Sequence, residues 1–207
     1  MKLNHANQIT VVRILLIIPF VICMLKINSA DTGNTMRYIA IVIFMVMAGS
    51  DAYDGYIARK NNEVTRLGSF LDPMADKLLM TCACLLLAID ATAVTGFKLP
   101  SAVVVLIIGK DIFLLLGFVI LYFLTFQVKI MPVKIGKLAT FLQLSMVAGI
   151  LIAPEVSQIF GWWIWFLRLL WYSAALTAII TTLVYILAGS RYIEDFENAN
   201  PEIREVK

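Results

Sequence analysis

Long apolar runs separated by short polar connections occupy almost the whole chain of 207 residues. A helix needs roughly 20 apolar residues to cross a bilayer, and each run comes close to that length. The predicted transmembrane helices cover Val11–Ile27, Met36–Ile57, Ser69–Ala88, Leu99–Phe126, Ile135–Ala153 and Trp162–Ala188. The pattern therefore predicts an all-α integral membrane protein with six transmembrane helices.

Both ends of the chain are more polar than the runs between them. Residues Lys2–Thr10 are predicted to form a short N-terminal interfacial helix, in which Asn7 and Thr10 stand three residues apart and precede Arg13. Such spacing places side chains on one face of a helix. The charged residues 191–207 are predicted to form a cytosolic tail, which leaves one membrane domain over residues 1–190.

Composition and charge agree with a membrane location. Hydrophobic residues make up 61% of the chain, against about 45–50% in soluble domains. The net charge of +3 and the lack of a basic–aromatic cluster argue for anionic lipids or phosphorylated substrates as partners, and against nucleic acid.

Lysine and arginine are distributed unevenly between the two predicted membrane faces. One face holds only Lys26, Arg37 and Lys98. The other holds Lys2, Arg13, Arg59, Lys60, Arg66, Lys129, Lys134, Lys137 and Arg191. Since positive charge favours the cytoplasmic side, we expect this second face in the cytoplasm. A bacterial inner membrane is the expected location.

Four aspartates lie where the second span ends and the third begins: Asp51, Asp54, Asp72 and Asp76. Spacings of three and four residues put each pair on one helix face. Acidic helix caps would explain Asp72, but Asp51 and Asp54 fall at a helix C-terminal end, where negative charge is unfavourable. Carboxylates near a membrane are costly unless a cation or a wet cavity stabilises them. Oxygen ligands suit Mg²⁺, Mn²⁺ or Ca²⁺ rather than Zn²⁺.

The motif around these aspartates resembles the signature of the CDP-alcohol phosphatidyltransferases. It reads Asp51-x2-Asp54-Gly55-x2-Ala58-Arg59, followed after eight residues by Gly68-x3-Asp72-x3-Asp76. The resemblance implies a two-metal site held by Asp51, Asp54 and Asp72, with Asp76 completing it and acting as general base. It also implies that Gly55, Ala58, Arg59 and Gly68 bind the CDP-lipid.

In that family a CDP-linked lipid donates its phosphatidyl group to an alcohol, and CMP leaves. The opening Asn7-x2-Thr10-x2-Arg13 and the segment Thr65–Leu78 are similar to the branches that use glycerol phosphate or form cardiolipin. The resemblance therefore implies CDP-diacylglycerol as donor and a homodimer. Glycerol 3-phosphate is the favoured acceptor, with phosphatidylglycerol as the alternative.

An anionic acceptor requires basic and polar side chains near the aspartates. The candidates are Asn7, Thr10, Arg13, Arg66, Lys77, Lys110 and Lys137. Two of them have competing interpretations. Lys110 and the adjacent Asp111 interrupt an apolar span and also suit a charge pair that supports the core, and Lys77 also suits a residue that reaches the interface.

A different class of function, a cation transporter, would also place aspartates in a membrane. The aspartates, however, gather near one predicted membrane face, and no repeated halves with broken helices are found. Metal-dependent release of CMP would separate the enzyme from the transporter.

Overall fold

The computed structural model describes residues 5–61, 66–125 and 134–199. Within these ranges every regular element is a helix, as predicted. The helices are α1 (His5–Leu25), α2 (Gly33–Asn61), α3 (Arg66–Ala88), α4 (Ser101–Thr125), α5 (Lys134–Leu151), α6 (Ala153–Ile159) and α7 (Trp163–Ala199).

Several helices have the length and surface of membrane spans. Within the described residues, Gly33–Ser50 of α2 and Trp163–Tyr192 of α7 are long and apolar enough to cross a membrane, and α5 with α6 makes a third span if that bent pair counts as one. Large apolar side chains such as Val105 and Phe113 of α4 are exposed. These features indicate a membrane protein, while the count of six spans stays a prediction.

Two terminal features differ from the expected boundaries. The N-terminal segment is helical, but it is not a separate interfacial helix, because α1 continues without a break from His5. No glycine or proline stands between Asn7 and Arg13 to interrupt it. At the other end α7 continues to Ala199, so the first part of the predicted tail extends this helix. The domain boundary after residue 190 stays a prediction.

A sharp bend separates α5 from α6. The sequence predicts that the fifth span ends at Ala153, with Pro154 as a breaker, whereas the structure begins another helix there. The axes of α5 and α6 differ by 75°. Pro154 lies in the first turn of α6, where its missing N–H leaves no hydrogen bond unmade. The same ring prevents α5 from continuing straight.

The core is built where α1 packs against α2 and α3, and where α4 and α5 pack against α7. Phe20 of α1, Phe44 of α2 and Leu79 of α3 are almost fully buried, and the rings of Phe20 and Phe44 have centroids 6.1 Å apart. Gly149 allows close approach of α5 to α7, since a Cβ there would lie 3.0 Å from Leu167 Cδ2. Because lipid is as apolar as these side chains, close packing holds the helices together.

Polar contacts join the helices at the end of the bundle remote from the four aspartates. The guanidinium of Arg37 donates to the Leu151 carbonyl at 2.9 Å and to Glu155 Oε2 at 2.7 Å. Arg37 is 5% exposed. The Asn28 amide donates to the carbonyls of Ala91 and Ala93. Arg37 therefore fixes α2 to the bend between α5 and α6.

We expect Arg37→Met to destabilise the protein by about 2–3 kcal/mol, because it leaves the Leu151 carbonyl and the Glu155 carboxylate without their cationic donor. Thermal unfolding in detergent measures the effect. Lys98→Met is the control, since its ion pair with Asp90 is exposed and exposed pairs contribute about 0–1 kcal/mol. Equal melting temperatures for the two variants would contradict the structural role of Arg37.

Candidate active site

Three helices contribute polar side chains to one small cavity of about 100 Å³. Its lining consists of Asp76, Lys77 and Met80 from α3, Lys110 and Asp111 from α4, and Thr140 and Gln143 from α5. The packing of α3 against both α4 and α5 brings these residues together. The structure thus places the predicted base, Asp76, beside two of the predicted acceptor-binding residues, Lys77 and Lys110.

Helix α3 positions Asp76 at the edge of the core. Its neighbours Ala75 and Leu79 are buried, at 0% and 1% exposure, and they hold this helix face against the bundle. Asp76 itself is only partly buried, and Met80 follows it one turn later on the same face. The carboxyl group of Asp76 is therefore held on a packed helix and lines the cavity.

Asp111 is shared by two lysines. Lys77 forms an ion pair with Asp111 Oδ1, and Lys110 Nζ lies 3.2 Å from the same oxygen. The side chains of Lys110 and Asp111 are 6% and 12% exposed. A buried charge costs several kcal/mol unless it is paired. The Lys110–Asp111 charge pair expected from the sequence is therefore present, and Lys77 joins it.

Lys110 also borders a second space. An apolar groove of about 310 Å³ runs between α4 and α7, lined by residues such as Leu106, Phe113, Ile179 and Leu183 as well as Lys110. The Lys110 side chain, which carries the ammonium group, thus lies where a polar cavity and an apolar groove meet. Such a boundary suits a molecule with an anionic head and hydrocarbon chains.

Two polar lining residues, Thr140 and Gln143, were not predicted from the sequence. Gln143 is 2% exposed, and the Thr140 hydroxyl donates to the Gly136 carbonyl at 3.1 Å. Their signal in the sequence is a spacing of three residues within an apolar span, which puts both on one face of α5. Neither carries a charge, so neither stands out from a search for ionisable groups.

Some predicted acceptor residues lie away from this cavity. Lys137 is exposed and Arg13 is buried on α1 at 3% exposure, and neither lines the cavity. Asn7 and Thr10 belong to α1 and Arg66 begins α3, but their side chains lie outside the described part of the chain.

The backbone places the aspartates on two consecutive helices. Asp51 and Asp54 belong to the second half of α2, and Asp72 and Asp76 to the first half of α3. The side chains of Asp51, Asp54, Asp72, Ala58 and Arg59, and the surroundings of Gly55 and Gly68, lie outside the described residues. A donor set made only of carboxylate oxygens fits hard divalent cations such as Mg²⁺ and Mn²⁺.

The chain matches a known protein family. The family model for CDP-alcohol phosphatidyltransferase matches residues 3–171. The chain belongs to this family. The resemblance carried by the aspartate motif is thereby confirmed, and membership of a family of transferases decides against a cation transporter. The CDP-alcohol phosphatidyltransferase match includes all of α1 to α6 from His5 onwards and the start of α7.

Individual relatives carry a more specific name, CDP-diacylglycerol–glycerol-3-phosphate 3-phosphatidyltransferase. The protein of this name from Rickettsia typhi is 33% identical over 190 residues, which cover 91% of this chain and 98% of the relative. That from Bacillus subtilis is 33% identical over 156 residues, which cover 72% of this chain and 77% of the relative.

We expect Asp111→Asn to lower stability by about 2 kcal/mol, because it removes the negative charge that balances buried Lys110. Unfolding of the detergent-solubilised protein measures the loss. The matched control is Asp90→Asn, which changes an aspartate whose side chain is 87% exposed. If Asp111→Asn and Asp90→Asn had the same melting temperature, the charge pair would not support this part of the bundle.

Proposed function

We propose that this protein transfers a phosphatidyl group from CDP-diacylglycerol to a hydroxyl of glycerol 3-phosphate, giving phosphatidylglycerol phosphate and CMP. The observation that carries the proposal is the polar cavity that joins Asp76 to the buried cation of Lys110 in a member of this family. The name of relatives that match over most of their length supports the choice of acceptor.

The proposed chemistry is a direct displacement at phosphorus. The acceptor hydroxyl oxygen attacks the phosphorus that is attached to diacylglycerol. The bond from that phosphorus to the bridging oxygen breaks, and CMP leaves with the electron pair. The proton of the hydroxyl passes to the carboxylate of Asp76, which acts as general base. Asp76 suits this role because it lines a small cavity from a well-packed helix.

The remaining aspartates are proposed to hold divalent cations. Asp51, Asp54 and Asp72, completed by Asp76, would bind Mg²⁺ or Mn²⁺. When bound, such cations neutralise the pyrophosphate and stabilise the charge that develops on attacking and leaving oxygens. Gly55, Ala58 and Gly68 would leave room for the CDP-lipid, and Arg59 would pair with its phosphates.

The acceptor is proposed to enter beside Lys110. Its ammonium is buried, borders the cavity and suits a phosphate, and Lys77 adds a second cation. Asn7, Thr10, Arg13, Arg66 and Lys137 remain proposed acceptor contacts.

A second candidate acceptor is phosphatidylglycerol, which would make the product cardiolipin. The apolar groove between α4 and α7 favours this alternative, because it reaches Lys110 from the side that suits hydrocarbon chains. Both candidates share the same donor, leaving group and base. They differ in the acceptor, since glycerol 3-phosphate is a phosphate monoester and phosphatidylglycerol is a phosphodiester that carries diacylglycerol.

The membrane arrangement is part of the proposal. We infer six spans, a homodimer and a bacterial inner-membrane location, with the aspartates facing the cytoplasm. The excess of lysine and arginine at the predicted face that carries the aspartates supports this orientation.

Purified protein in detergent, with CDP-diacylglycerol and Mn²⁺ or Mg²⁺, is expected to release CMP when glycerol 3-phosphate is added. Phosphatidylglycerol is offered in a separate reaction. Release with phosphatidylglycerol alone would replace the proposed acceptor by the lipid. Absence of release with either acceptor, while CDP-diacylglycerol still binds, would point to another alcohol.

Asp76→Asn is expected to reduce turnover by at least about 10²-fold, the lower range for loss of a general base, with binding of CDP-diacylglycerol largely retained. CMP release and equilibrium binding are measured on the same preparation. Asp90→Asn, an exposed aspartate on the connection after α3, serves as control. Normal turnover by the Asp76 variant would remove this residue from the role of base.

A further inference from the structure

An unsatisfied amide group lies at the wall of the cavity. Gln143 is 2% exposed, and its Nε2 has no hydrogen-bond partner among the described residues. Buried polar groups nearly always have a partner, so an exception calls for a specific explanation. The residue lines the same space as Asp76 and Lys110. A ligand group in that space would supply the missing partner.

The neighbouring threonine narrows the chemistry of that group. The Thr140 hydroxyl uses its proton to donate to the Gly136 carbonyl at 3.1 Å, so its oxygen is left as an acceptor. Thr140 lies one helical turn before Gln143 on the same face of α5 and also lines the cavity. This wall therefore offers the N–H groups of the Gln143 amide as donors and the Thr140 oxygen as an acceptor.

A hydroxyl group matches both requirements. It accepts from the Gln143 amide and donates to the Thr140 oxygen, whereas an ammonium has no lone pair to accept and a phosphate oxygen has no proton to donate. The charged groups Lys77, Lys110 and Asp111 already pair with one another. Gln143 and Thr140 thus form a neutral part of the site.

We propose that Gln143, with Thr140, recognises the non-reacting hydroxyl of the acceptor and selects a vicinal diol phosphate over acceptors that lack this hydroxyl. The inference rests on the proposed function. In a vicinal diol the two oxygens belong to adjacent carbons, so a cavity of about 100 Å³ that is lined by both Asp76 and Gln143 brings both within reach. A site that hydrogen-bonds a substrate hydroxyl strongly rejects the analogue without it, because the buried donor is left unpaired.

The test compares kcat/KM for glycerol 3-phosphate and for 3-hydroxypropyl phosphate, which lacks only the middle hydroxyl. The wild-type protein is expected to prefer glycerol 3-phosphate by about 10²-fold or more. Gln143→Met keeps the length of the side chain but removes the donor, and it is expected to lower this preference to within about threefold. Because each ratio comes from one preparation, losses of folded protein cancel.

Two further variants serve as a control and as a substitute for Gln143→Met. Gln158→Met makes the same change at an exposed glutamine of α6 and is expected to retain the wild-type preference. Gln143→Leu also removes the donor and is expected to reduce the preference as Gln143→Met does, so it serves if the methionine variant fails to fold.

A wild-type preference in both Gln143 variants, or an equal loss with both acceptors that leaves the ratio unchanged, would overturn this inference alone. Failure of the wild-type protein to use either acceptor would overturn the proposed function, and this inference with it.

Discussion

A buried cation in an apolar helix bundle has to be given a counter-charge, and the arrangement of the site depends on this constraint. The Lys110 side chain is only 6% exposed, and Asp111 beside it supplies the negative charge. Asp111 also binds Lys77 of α3, and this contact joins two helices through their polar side chains. Asp76, the proposed base, precedes Lys77 on α3 and lines the same cavity.

The same constraint operates at the remote end of the bundle. Arg37 is buried and is compensated by Glu155 and the Leu151 carbonyl. Between the two charged clusters the helices meet through apolar side chains such as Phe20 and Phe44. In lipid, apolar helix faces have no solvent-driven preference for one register, so apolar packing alone would leave the register poorly defined. Directional polar contacts at both ends of the bundle therefore fix the register of the helices.

Much of the fold follows from local pattern. The third span was predicted from Ser69 to Ala88, and α3 runs from Arg66 to Ala88, because apolar length and polar connections are visible along the chain. The bend before Pro154 was not predicted, since proline marks a break without showing whether a new helix follows. The Lys77–Asp111 pair joins residues 34 positions apart, and no local pattern encodes it. Gln143 was missed because only the packed structure shows that its amide nitrogen lacks a partner.

The bend after α5 has a consequence for the surrounding lipid. With 18 residues, α5 rises about 27 Å along its axis, less than the ~30 Å hydrocarbon core of a typical bilayer. Because α6 turns away by 75°, it adds little to the crossing. A crossing of this length is matched by local thinning of the bilayer or by flanking side chains that reach the interface. Since α5 carries Thr140 and Gln143, a change in bilayer thickness at this crossing would act on one wall of the small cavity.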